Sequence, residues 1–390
     1  MVSCSIINTE NDARFDNEGY AVYTEEDSVP FTLTEPSKVK FYFEVSGSMN
    51  GFFRSNKKTD FKRDVYDVLS RCSAVSEIYV LEDIKGEKPK QMSEDGFLQA
   101  MNTGMFDPTG STILPDMLNN IMSNLNATNG EVSVFVSDMR YDPIGQKGAD
   151  VLVTQYSPRI AKMFRQFGNS VSMVCATSNF LDGNGNIVTK DAPYYFVIMG
   201  QGPEVARVRN LISAVLDNKD RFIDNIEAGF DYGRPIYSFG VPRKCYQLDD
   251  QPTFIGYEDE EEGDTCSIKL KVPIENYRWL MLDEQYFKDA FIVKSSYGSK
   301  VKVSSIDMDR NEGVAVVIIK VFGMVMDSEV LEWGLVLPDT DYTRMSGFFE
   351  DANDPNDPTK SFSVKEFCEG MFGGLTNKIK PNYILISKKN

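Results

Sequence analysis

Three oxygen-bearing side chains, Glu44, Ser46 and Ser48, stand at alternate positions where the apolar run 39–45 gives way to Gly47, Met49, Asn50 and Gly51. If the strand stays extended to its end, alternate side chains point the same way. One carboxylate and two hydroxyls on one edge form the hard-oxygen donor set that magnesium or calcium takes. The position also suits a ligand, because open α/β sheets bind ligands beyond the carboxyl ends of their strands. Two later segments supply the same chemistry. Residues 108–118 form a Gly/Ser/Thr loop containing Thr112, and the loop leads into an apolar-periodic helix whose first turn tolerates Pro115. Residues 131–138 form a second apolar strand that ends on Asp138. The plain alternative is that Ser46, Ser48 and Thr112 only cap loops and helix starts.

The order of these three segments resembles a von Willebrand factor type A domain with a metal-ion-dependent adhesion site. The family pattern is Asp-x-Ser-x-Ser, then a threonine in a glycine-rich loop, then an aspartate after a later strand. Glu44, Ser46 and Ser48 match the first part, Thr112 the second and Asp138 the third, and the resemblance covers roughly residues 37–215. It implies a divalent cation, Mg2+ or else Mn2+ or Ca2+, held by these five residues. It also implies a partner protein whose Asp or Glu completes the coordination. The chain departs from the pattern at Glu44, where the family has Asp. The extra methylene moves the carboxylate by about 1.5 Å. It could then displace a metal-bound water and coordinate directly, or swing away and weaken the site.

Composition narrows the chemistry. The 390 residues contain no histidine, which removes the commonest general base, the His-dependent nucleophile systems and histidine zinc sites. A formal net charge of −17 argues against nucleic acid, which needs clustered Lys and Arg, and against adsorption to an anionic membrane surface. No stretch approaches the ~18 apolar residues of a transmembrane helix. The six cysteines contain no Cys-x-x-Cys. Cys72 and Cys175 read as buried free thiols, while Cys245 and Cys266 flank an acidic loop and could pair. Val2-Ser3-Cys4 is what remains when a lipoprotein signal is cut just before its lipidated cysteine. Acylation of Cys4 would anchor the protein in the cell envelope without spanning a membrane; an ordinary cytoplasmic start is the equal alternative.

These residues need a scaffold, and the patterning supplies one. Residues 1–36 read as a polar tether or edge extension. Residues 37–217 alternate strand and helix, which predicts a doubly wound, mostly parallel sheet covered on both faces. Expected helices include 60–72, 114–125, 158–167 and 203–216, and expected strands include 78–81, 131–136, 170–176 and 194–199. The sequence 179–191 reads as a hairpin or turn. Gly200 and Gly202 precede a helix but lack the third glycine of a dinucleotide fingerprint, so a proline-led helix start is preferred. Residues 218–390 change to short strands with a late helix, which favours a β-sandwich. Ser363 and Glu366 stand as a capping box for that helix.

The expected function is therefore a non-enzymatic binding module of adhesion type. Two alternatives remain. One is a scaffold whose metal site has decayed. The other is a metal-assisted hydrolase using Asp138, Asp142 and Glu44 to activate water.

Overall fold

The computed structural model describes residues 14–16, 21–22, 30–81, 88–104, 106, 114–141, 149–249, 251–258, 263–277, 284–309, 312–336, 342–350 and 357–389. The chain divides into two compact units. An α/β unit comprises residues 33–230 and 339–377, and a β unit comprises residues 1–32, 231–338 and 378–390.

The α/β unit is built on β1 (Lys38–Glu44), α1 (Asp60–Arg71), β2 (Val75–Leu81), β3 (Lys90–Met92), α2 (Glu94–Thr103), α3 (Leu114–Ser123), β4 (Glu131–Ser137), α4 (Ala149–Phe167), β5 (Ser170–Leu181), β6 (Ile187–Gly200), α5 (Gly202–Asp217), β7 (Phe222–Ala228) and α6 (Val364–Gly374). Its seven strands lie in the order β3-β2-β1-β4-β6-β5-β7. The α/β class follows the sequence expectation. The parallel pairs are the central ones, β2 with β1 and β1 with β4, and the flanking pairs are antiparallel. Four of the seven strands run one way. The antiparallel part arises because β5 and β6 are joined by the tight turn at 182–186 rather than by a crossover helix.

β1 and β4 are buried at six of their seven residues, as strands covered on both faces must be. On one face Tyr42, Phe135, Tyr195 and Val197 pack with Leu118, Ile121, Ile160, Phe164 and Phe367 of helices α3, α4 and α6. On the other, Phe43 stacks on Phe97 of α2 at 4.3 Å, and Phe61 of α1 meets Tyr194 edge-on at 5.1 Å. Asp64, fully buried on α1, is held by Tyr194, Lys219 and Arg221, so its charge is paired rather than stranded. The start of α5 follows the proline-led reading, with Gln201 at the cap and Pro203 in the first turn.

Three expectations change. Helix α4 begins at Ala149, well before residue 158, and continues through Pro158. The packing of Tyr156, Ile160 and Phe164 on one face outweighs the single lost backbone bond. The divisions expected after residues 36 and 217 fall elsewhere. β7 is an edge strand of the α/β sheet, and α6 packs on α4 in the same unit. A Cβ on Gly370 would sit 2.7 Å from Cβ of Ile160, so this glycine permits the close helix approach. The capping box does not form. Ser363 has φ 65°, in the left-handed region, and its hydroxyl has no partner, because a capping side chain needs an extended backbone at that position.

The β unit contains β8 (Ser238–Phe239), β9 (Cys245–Gln247), β10 (Thr253–Gly256), β11 (Asp264–Pro273), β12 (Phe291–Ser295), β13 (Lys300–Asp309), β14 (Val314–Phe322), β15 (Ser328–Leu335) and β16 (Asn382–Lys388). They form a four-stranded sheet, β8-β11-β14-β13, and a five-stranded sheet, β9-β10-β16-β15-β12. The alternation in β14, whose odd-numbered residues Ala315, Val317, Ile319 and Val321 are all buried, marks one face as core. Trp333 lies in the core with Tyr237 and Phe291 around it. Residues 259–262 of the acidic run lie outside the described residues, as does Cys4. Among the described residues no helix is long and apolar enough to cross a membrane.

Candidate metal site

β1 and β4 are neighbours and parallel, so their carboxyl ends lie together at one rim of the sheet. Chain connections leave β1 towards β2 on one side, while β4 lies on the other; a crevice at such a switch point is where this architecture binds ligands. Glu44 ends β1 and Ser137 ends β4, with Asp138 immediately after.

The Ser46 backbone is extended, and residues Gly47–Met49 then close a single 3-10 turn. Ser48 therefore reaches the site by a turn, not along a continued strand. The turn brings the Ser46 and Ser48 hydroxyl oxygens to 2.9 Å. The Ser48 hydroxyl also lies close enough to the Asp138 carboxylate to favour its ionised form. Ser46, Ser48 and Asp138 thus meet. Glu44 is fully buried beside them, and its Oε2 accepts a hydrogen bond from Ser137 Oγ. Thr112 and Asp142 lie outside the described residues.

The segment after β4 is tightly held. Met139 is fully buried with φ 55°, a left-handed conformation that costs a non-glycine residue free energy, and its N–H donates to Ser137 Oγ at 2.7 Å. The Arg140 N–H donates to Asp138 Oδ1 at 3.1 Å. Ser361 Oγ donates to the Asp138 carbonyl at 2.8 Å, and Arg140 Nη1 donates to the Asp357 carbonyl at 3.1 Å. The loop carrying Asp138 is therefore braced by residues 357–361, more than two hundred positions later in the chain. The loop after Ser48 is equally fixed. A Cβ on Gly51 would lie 2.3 Å from the Phe180 ring, and Phe52 and Phe53 are buried. Arg54 Nε donates to the Asp182 carbonyl at 2.8 Å. Lys62 Nζ donates to the Arg54 and Lys57 carbonyls at 2.7 and 3.1 Å. Burial lowers the Lys62 amine to about 8, where the neutral form still has two N–H groups for these two acceptors.

Burial raises the Asp138 carboxyl above its ordinary range, and the nearby Arg140 charge and Ser48 hydroxyl only partly oppose that shift. A carboxylate in this state is stabilised by a cation. The donors suit a hard one. Cis ligands of an octahedral Mg2+ at 2.0–2.1 Å are about 2.9 Å apart, which is the separation of the two serine oxygens. The residues present fit a small divalent ion bound by hydroxyls and carboxylate. A carboxylate-rich cluster is a different matter: among the described residues no three Cys, Asp or Glu side chains are placed to share a metal.

Sequence reasoning missed Ser137 and the brace at 357–361. Ser137 had a local signal, since it ends its strand at the position that pairs with the end of β1. The brace had none, because nothing local ties residue 361 to residue 138. Neither the protein-family models nor the curated proteins give a match to this chain.

Proposed function

We propose that the α/β unit is a von Willebrand type A-like binding module. Mg2+ is held by Ser46, Ser48 and Asp138, with Glu44 and Thr112 completing the set directly or through water. A vacant coordination position then accepts a carboxylate from a partner protein. The observation that carries this reading is the meeting of Ser46, Ser48 and Asp138 at the rim between β1 and β4. The rigid loops support it, because a site that must present an open metal position gains from ligands that do not reorganise. Magnesium is favoured over softer metals by the all-oxygen donors.

A second reading has its own observation. Arg140 already places positive charge near Asp138, and Glu44 is engaged by Ser137. A decayed site in which the guanidinium serves as the resident cation would look this way, and the unit would then bind partners without metal. Calorimetric titration with Mg2+ separates the two. The binding module gives heat of binding in the native chain and none in Ser46→Ala or Asp138→Asn. Equal, flat traces from all three support the decayed site.

A further inference from the structure

We propose that Cys245 and Cys266 form a reversible disulfide that joins the two sheets of the β unit. Cys245 opens β9, the edge strand of the five-stranded sheet, and Cys266 lies in β11, the second strand of the four-stranded sheet. Both are free thiols in the structure. Arg243 and Ser267 exchange backbone hydrogen bonds of 3.0 and 2.8 Å, which fixes the two strands together at this point. Cys245 pairs with Gly256 across the five-stranded sheet, and a Cβ placed on Gly256 would be 3.3 Å from Cβ of Cys266. The two thiols are close enough to shift each other's ionisation. Cys245 Sγ also lies 3.8 Å from the Ser267 carbonyl. Two thiols carried side by side on strands held together at this point can bond through side-chain rotation.

The two thiols are unequal. The neighbouring Cys266 thiol pulls the Cys245 thiol below its ordinary range, while Cys266, beside Cys245 and fully buried, is pushed far above. Cys245 is also the more accessible, at 9% exposure on an edge strand paired on one side only. It is therefore the attacking group. The oxidant is a small-molecule disulfide, R–S–S–R. The Cys245 thiolate attacks one sulfur, the S–S bond breaks, and one RS⁻ leaves. Cys266 then gives up its proton to RS⁻ and attacks Cys245 Sγ, which expels the second thiolate, protonated by the solvent to replace the proton first lost from Cys245. One disulfide is consumed, two RSH are released, and the two cysteines are oxidised by two electrons.

Cys175 and Cys368 serve as internal controls, because burial raises both thiols well above their ordinary range and they should stay reduced. The experiment incubates the full-length native chain in glutathione buffers of increasing oxidised fraction. Free thiols are then trapped by alkylation, and peptides are mapped without reduction. The expected result is a linked 245–266 peptide that disappears with dithiothreitol. Oxidation should also raise Tm by roughly 5–10 °C, since the bond closes a loop of about 20 residues. In Cys266→Ser, Cys245 should accumulate as its glutathione adduct. The proposal is overturned if Cys245 in the native chain stops at the adduct, links to another cysteine, or stays unreacted under conditions that oxidise a small dithiol.

Discussion

Ser137 donates its hydroxyl hydrogen to Oε2 of Glu44 across the two central parallel strands, and both residues are closed to solvent. The same hydroxyl accepts the Met139 N–H, so one serine links the end of β1 to the strained turn that carries Asp138. Ser137→Ala removes both bonds at once and leaves buried polar groups short of partners. It is expected to cost about 2–3 kcal/mol of stability. Urea unfolding of Ser137→Ala against the native chain measures this. A loss below about 0.5 kcal/mol would show that the link is dispensable.

Asp138 should behave as a buried acid that lacks full compensation. Its carboxyl in the folded chain lies above the ordinary value, chiefly from burial. The folded state therefore holds a proton that the unfolded state has released, in the window from the ordinary carboxylate range up to the raised value. Stability at this residue falls as pH rises through that window and is level above it. Asp138→Asn removes the slope, and it raises the metal-free Tm at neutral pH while abolishing any response to Mg2+. Thermal scans from pH 4 to 8 in EDTA check the sign; a lower Tm for Asp138→Asn at pH 7.5 would contradict it.

Lys62 gives the opposite slope. Its amine is lowered to about 8 by burial, whereas the unfolded chain has the ordinary value of 10.5. Between these the unfolded state binds more protons, so this residue adds stability as pH rises from about 8 towards 10. Lys62→Met should abolish that gain. Chemical unfolding at pH 7.5, 8.5 and 9.5 tests it, and identical pH dependence in Lys62→Met and the native chain would refute the assignment.

Much of the α/β unit was legible because its signals are local. β1 and β4 are unbroken apolar runs, and α1 shows Phe61, Val65, Val68 and Leu69 at helical spacing. The pairing of Ser46 with Ser48 followed from their spacing, although through a turn rather than an extended strand. What escaped was non-local. The late helix α6 has an apolar face that any domain could have used, and it is assigned to the α/β unit by packing that includes Phe367 against Phe164 and Gly370 against Ile160. The brace from Ser361 to the Asp138 carbonyl spans 223 positions and leaves no periodic trace. Ser363 carried the composition of a cap but not the backbone conformation, which residue types alone do not specify.

The most direct test of the metal site is crystallographic. Crystals of the native chain soaked in Mn2+, a close mimic of Mg2+ with a usable anomalous signal, should show one anomalous peak bounded by Ser46 Oγ, Ser48 Oγ and the Asp138 carboxylate. Density without such a peak, with the Arg140 guanidinium resting against Asp138 instead, would contradict the account.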